Sequence, residues 1–318
     1  MRRALAPLLR PLLRPGAALQ ALRAETEAIR ARVGARRYRA AGHFYSPLPG
    51  RADIAHALAI AAEDAVPDVD LNPDGQRALL ETLAPLAEGL DLPDAPRRGR
   101  RFHFDQRFFG HADGGVLHLL LRHLRPARLI EIGAGWSTAL ILDTLDAHGP
   151  EGLRLVSVDP HPERMLDRLA PGDRARLELH VAPVQALPLA TFDALAAGDV
   201  LFIDSSHVLK AGSDVHHLLF RVLPRLAPGV HVHFHDVLPP FEYPREWLER
   251  GYSWTEAYAL RAFLAGNAEW RVSLWNPYAV VRHHDLVARA FPWMLRNPGG
   301  SLWLEKLGPR RLAPERAA

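Results

Sequence analysis

Two short segments set acids beside histidines. Asp204 and His207 lie in "LFIDSSHVLKAGSDV", and His235 and Asp236 close "HVHFHDV". Three roles are open for this group. Asp204 and Asp236 together would suit a hard, oxygen-liganded divalent ion such as Mg2+, which lowers the pKa of a hydroxyl bound to it. His207 or His235 would instead serve as general base, because imidazole titrates nearest neutral pH. The third role is a hydrogen-bonded network that braces the loops, with Asp214 capping the helix that follows. His231 and His233 alternate with Val232 and Phe234, so they share a strand face with His235 and read as packed core histidines.

A second constellation lies upstream, in "RLIEIGAGWSTALI" at residues 128–141. Gly133 and Gly135, with Ala134 between them, allow a tight turn and close approach of a ligand, and Ser137 can cap the next helix. A dinucleotide loop would bring a third glycine to seat the helix against a pyrophosphate, but Thr138 stands at that position. Glu131 would repel a pyrophosphate and balance a cationic ligand. S-adenosylmethionine carries a sulfonium and an ammonium and needs no phosphate site. Asp159, 24 residues after Gly135, can accept from both ribose hydroxyls. The same residue can cap "PHPERML" as a helix start. Gln185 is a candidate for the adenine edge.

These residues need a scaffold that brings them to one edge. From Gly114 onward, short apolar runs alternate with helical periodicity, the pattern of a parallel sheet covered by crossover helices. The runs are 127–132, 153–159, 175–181, 199–204 and 230–236, with helices expected over Ser137–Ala147, Pro162–Leu169, Leu189–Ala196 and Ser213–Leu226. "WRVSLW" (270–275) and "YAVVRH" (278–283) are expected to pair as a terminal hairpin around Asn276 and Pro277. Ligands of such sheets sit beyond the carboxyl ends of the strands, where the strand order reverses. Phe241, Tyr243, Trp247, Tyr252, Trp254 and Tyr258 follow the fifth strand and offer faces on which a sugar ring can stack.

Upstream, residues 1–50 form a basic leader ending in "HFYSPLPG", residues 51–100 a helical annex with a helix near Asp74–Glu88, and residues 101–318 the main domain. A surface helix is expected from about Ala17 to Val33, and residues 1–33 are a candidate for peripheral membrane contact. The broken apolar pattern does not fit a secretory signal, and no stretch approaches a transmembrane segment. The 318 residues carry 39 Lys+Arg against 36 Asp+Glu, a net charge of +3 that leaves no nucleic-acid footprint. Cysteine is absent, which excludes disulfides, thiolate zinc and a Cys nucleophile, and fits a reducing, cytoplasmic setting.

Taken together, "HFYSPLP", "LIEIGAGWST", "GDVLFIDSSHVLKAGSDV", "LPRLAPGVHVHFHDV", "PFEYPREW" and "WTEAYALRAFL" resemble class I S-adenosylmethionine-dependent methyltransferases, within a bacterial group of unassigned substrate. The resemblance implies an α/β fold: a doubly wound, Rossmann-like seven-stranded sheet, mostly parallel with the last strand antiparallel. It implies cofactor contacts at Glu131, Gly133, Gly135 and Asp159, with Asp204 facing the methionine end. One departure is Ser137, at a place where that family often has glycine. The resulting expectation is O-methylation of a small polar or glycan acceptor. Two other classes stay open. A nicotinamide-dependent oxidoreductase is disfavoured by the missing glycine and by the lack of a placed Tyr and Lys pair, since Lys210 and Lys306 are the only lysines. A non-catalytic binding module of the same fold would use the basic leader as a docking arm in an envelope assembly.

Overall fold

The structure, a computed structural model, describes residues 38–63, 65–149 and 152–311, together with Thr26. The helix expected over 17–33 and the membrane-contact segment 1–33 lie outside the described residues, apart from the helical Thr26. Among the described residues no helix is long and apolar enough to cross a membrane.

The chain divides into two compact units, residues 1–59 and 60–318. In the first, the segment from Tyr38 to Gly50 is a series of turns, as its aromatic and proline content suggests. Helix α1 (Arg51–Ala61) follows, and the Asp53 carboxylate accepts from the Gly50 amide at its start.

The second unit is built on seven strands: β1 (Arg128–Ile132), β2 (Arg154–Val158), β3 (Leu177–His180), β4 (Val200–Ile203), β5 (His231–Phe234), β6 (Trp270–Trp275) and β7 (Leu302–Lys306). Their spatial order is β3-β2-β1-β4-β5-β7-β6, parallel from β3 to β5, with β7 antiparallel to both of its neighbours. The strand order reverses between β1 and β4, which opens a crevice at their carboxyl ends. β1, β2 and β4 are buried on both faces, which explains why they read as nearly continuous apolar runs.

Helices α2 (Pro73–Ala87), α3 (His111–Leu124) and α4 (Trp136–His148) pack in succession, α2 on α3 and α3 on α4. α3 is buried from Ala112 to Leu121 on all sides, as expected of a helix without a polar face. Sequence periodicity alone does not reveal it, because Gly114 and Gly115 interrupt the pattern. Their lack of side chains is used: a Cβ on Gly115 would fall 2.2 Å from the Trp293 ring. Short helices α5 (Glu163–Leu166), α6 (Ala190–Asp193) and α7 (Asp214–His217) follow β2, β3 and β4. The stretch expected to be one helix from Ser213 to Leu226 is α7 followed by a widened turn over Leu218–Val222 and a tight one over Leu223–Arg225. Pro224 ends it.

The expected hairpin of 270–275 with 278–283 is not present. Residues 276–282 form a helix, α10, after α8 (Arg245–Glu249) and α9 (Glu256–Leu264), and α11 (His284–Ala290) follows it. Pro277 lies in the first turn of α10, where its fixed φ suits a helix and its missing N–H is not needed. β6 pairs instead with β7, through a register shift between Val272 and Leu274.

Candidate active site

The site begins with a row of residues that extends each strand by one position. Gly133 donates its amide to Val158 O, Asp204 to Ile132 O, His235 to Ile203 O and Asp159 to His180 O, all at 2.9–3.1 Å. The sheet ladder thus aligns Asp159, Gly133, Asp204 and His235 across the carboxyl edge in that order. A cavity of about 1270 Å3 lies over them, and all four line it.

Gly133 adopts φ +85°, and a Cβ there would come 1.7 Å from the Asp204 carbonyl oxygen. Glycine is required at this point for conformation and for space. Gly135 differs: its φ of 177° is extended backbone, and a Cβ would meet only the flexible Arg164 side chain at 3.3 Å. Ser137 does not cap α4 as expected. Its hydroxyl donates to Glu131 at 2.7 Å, and Thr138 Oγ1 accepts from the Gly135 amide at 3.0 Å in the capping role.

Glu131, expected to touch a cofactor, does not line the cavity. It is wholly buried and accepts three hydroxyl hydrogen bonds, from Ser137, Thr138 and Ser157, at 2.7–2.8 Å. Burial pushes its carboxyl up to about 7, against the pull of those donors. Glu131 therefore ties the start of α4 to β1 and β2 and shapes the glycine loop from behind.

Asp159 does not cap α5, whose N-cap is Pro162 with no side-chain hydrogen bond, but it organises the loops around it. Its Oδ2 accepts from the Ala134 amide at 2.8 Å, fixing the loop, and its Oδ1 accepts from the His161 amide at 2.7 Å, shaping the turn into α5. Each carboxylate oxygen keeps a further lone pair, and the residue is partly exposed on the cavity wall. Gln185 also lines the cavity. Its amide nitrogen donates to Gly212 O at 2.8 Å, which leaves its Oε1 to accept.

On the other side the structure brings Asp204, His207, His235 and Asp236 together. His207 is buried, with Nε2 3.4 Å from Asp204 and 3.7 Å from Asp236, and Nδ1 2.9 Å from Glu256. Burial disfavours its charge, but Asp204 and Glu256 on its two nitrogens raise its pKa well above the ordinary range. His207 is thus an imidazolium near neutral pH, which does not suit a general base. Burial would raise Asp204, yet His235 and His207 outweigh it and hold the carboxyl at about 2. His235 is buried, with Nε2 3.2 Å from Phe108 O and Nδ1 without a partner among the described residues. Burial lowers its basicity, and Asp236 and Asp204 more than restore it.

Asp204 and Asp236, the pair considered for Mg2+, both face the His207 ring, at 3.4 and 3.7 Å. Among the described residues no group of three or more acids or histidines has the arrangement of a metal site. Asp214 does not cap its own helix either: Ser213 does, accepting from His216 at 3.1 Å, while Asp214 accepts from the Ser206 amide and hydroxyl. His233 is a core histidine, stacked on Phe202 at 3.9 Å and hydrogen bonded to Ser301 at 2.9 Å. His231 is only half-buried.

Of the six aromatics after β5, Trp247, Tyr252 and Trp254 line the cavity, with Tyr252 stacked on Trp254 at 4.9 Å. Phe241 and Tyr243 belong to the core, and Tyr258 hydrogen bonds to Glu242 outside the cavity. Glu256, which pairs with His207 from behind the cavity wall, carries little sequence signal, and neither do Arg107, Arg164 and Arg250, which line the cavity. The only sequence signal of Glu256 is an acid after Thr255 at the start of an apolar helical period.

Residues 130–237 match a protein family described as a methyltransferase domain. The segment is thus identified as a methyltransferase domain, and the sheet around it has the mostly parallel order with one antiparallel strand that the resemblance implies. An uncharacterized protein of Archaeoglobus fulgidus is 26% identical over 160 residues, covering 48% of this chain and 72% of its own. Among solved structures, the O-methyltransferase TomG of Streptomyces achromogenes, involved in tomaymycin synthesis and crystallised with SAM, is 19% identical, with 81% of this chain and 96% of that chain covered and a TM-score of 0.41. The O-methyltransferase of Bacillus cereus in complex with SAH is 13% identical, with 79% and 97% covered and a TM-score of 0.37.

Proposed function

We propose that the cavity binds S-adenosylmethionine across Asp159, the Gly133–Gly135 loop and Asp204, and that the chain methylates an oxygen of a small polar acceptor, such as a sugar, held against Trp247, Tyr252 and Trp254. The observation that carries this reading is the aligned row Asp159, Gly133, Asp204 and His235 at one sheet edge. In that row an open carboxylate stands where a ribose would lie, a backbone notch comes next, and an ionised carboxylate stands where a cation would lie. The loop itself carries no basic residue, and Arg164 lines the cavity beside Gly135.

When bound, the cofactor supplies an electrophilic methyl group on a sulfonium that leaves as a neutral thioether. The residues of this chain do the positioning, which makes the encounter of methyl group and acceptor effectively unimolecular. Asp159 takes the ribose hydroxyls, Gln185 the adenine edge, and Asp204 the positive methionine end. The aromatic wall orients the acceptor ring. His235, which lines the cavity beside Asp204, receives the acceptor's proton in its neutral form, while His207 holds Asp204 and Asp236 in place. On this reading the catalytic domain spans 101–318, with 51–100 as helical annex and 1–50 as basic leader in a cytoplasmic protein.

The test is incubation of the protein with methyl-labelled S-adenosylmethionine and fractionated cell extract, followed by mass spectrometry. A protein-dependent gain of CH2 on a hydroxyl of a glycan or small molecule is expected. Label on amine nitrogen only, or no label from a protein that binds the cofactor, would contradict the proposal.

A further inference from the structure

Residues Trp254 to Glu256 grip the loop after β4 through backbone, side-chain and ring contacts. The Thr255 and Glu256 amides donate to the His207 carbonyl at 2.9 and 3.1 Å, and the Leu209 amide donates to Thr255 Oγ1 at 2.7 Å. The Trp254 ring lies 4.5 Å from the His207 ring, and Glu256 Oε2 meets His207 Nδ1 at 2.9 Å. His207 is held at φ +58°, a left-handed conformation that a non-glycine residue keeps only when its surroundings fix it.

Glu256 is 1% exposed, and its other carboxylate oxygen, Oε1, has no hydrogen-bond partner among the described residues. A buried carboxylate is costly unless paired, so His207 is the partner that makes this one tolerable. On the far side of the imidazole, Nε2 faces Asp204 at 3.4 Å and Asp236 at 3.7 Å. Glu256, His207 and Asp204 thus form one chain from the acceptor wall to the cofactor side of the cavity.

We infer that Glu256 is a positioning residue: acting through His207, it fixes the Asp204 carboxylate beside the Gly133 turn and couples the aromatic wall to the cofactor site. This rests on the reading that the cavity binds S-adenosylmethionine. Glu256 itself touches neither ligand.

The test is a double-mutant cycle read by calorimetry with S-adenosylhomocysteine. Glu256→Gln keeps the shape and removes the charge. His207→Asn removes the imidazole with a residue that tolerates the left-handed conformation. Each single change is expected to weaken binding about tenfold, within the range for residues sharing one network, and the double variant to bind no worse than His207→Asn. Multiplied losses would show that Glu256 does not act through His207, and a Glu256→Gln affinity within about twofold of wild type would show that it does not act on the site at all. Circular dichroism checks folding. If Glu256→Gln unfolds, the cycle is run with Glu256→Asp, which keeps the charge one methylene short, and the same two outcomes decide. Absence of binding by the wild-type protein would instead refute the cofactor reading.

Discussion

The carbonyl oxygen of Asp204 occupies the place where a side chain on Gly133 would begin, 1.7 Å from an ideal Cβ. The first glycine of the loop and the end of β4 are thus mutually fitted. Gly133→Ala must move the β4 end or the loop, besides forcing alanine to φ +85°. A loss of about 2 to 3 kcal/mol in urea unfolding is expected, with S-adenosylhomocysteine binding abolished. Gly135→Ala, displacing only the Arg164 side chain, should leave stability within about 1 kcal/mol of wild type.

Asp159 joins the glycine loop to the cavity. Asp159→Ala leaves the Ala134 and His161 amides without acceptors and removes the proposed ribose contact. Hydrogen bonds to a charged group contribute about 1.5 to 3 kcal/mol, so cofactor affinity should fall by roughly 10- to 100-fold in calorimetry. An unchanged affinity would remove Asp159 from the site.

Glu131 gives the fold a pH dependence of definite sign. Its carboxyl is raised from 4.5 to about 7 by burial, so the native state holds a proton that the unfolded chain releases. The contribution to stability is greatest below 4.5 and declines as pH rises to 7, by about 3 kcal/mol in all. Glu131→Gln has no such proton. The stability of this variant relative to wild type should therefore rise between pH 5 and 8, and a constant difference in denaturant unfolding would refute the assignment.

His235 and His207 should separate kinetically. His235→Ala removes the proposed base and should slow methyl transfer by about 10² to 10⁴-fold with little effect on cofactor affinity. His207→Ala should weaken cofactor binding as well, because Asp204 loses the imidazole that contacts it at 3.4 Å and fixes its position. Labelled-methyl incorporation and calorimetry on both variants distinguish the two roles.

Much of the scaffold was legible because parallel strands buried on both faces read as apolar runs. β1 to β5 lie inside the predicted segments, and the carboxyl-edge residues follow from that register. β7 was missed, since "YAVVRH" has stronger strand composition than "LWLEK", and only Pro277 marks the former as a helix start. Side-chain roles were less legible than positions. Ser137 and Glu131 stand where the sequence places them, yet they face each other, because a strand end and a helix start meet behind the loop. Glu256 lies 49 residues beyond His207, and no local spacing announces the pairing.

The central claim is that this acid-lined edge was shaped for a sulfonium nucleoside. Calorimetry on the wild-type protein with S-adenosylmethionine, S-adenosylhomocysteine and NAD tests it most directly. Saturable binding of the first two at one site per chain, without heat from NAD, is the expected result. Binding of NAD, or of none of the three, would contradict it.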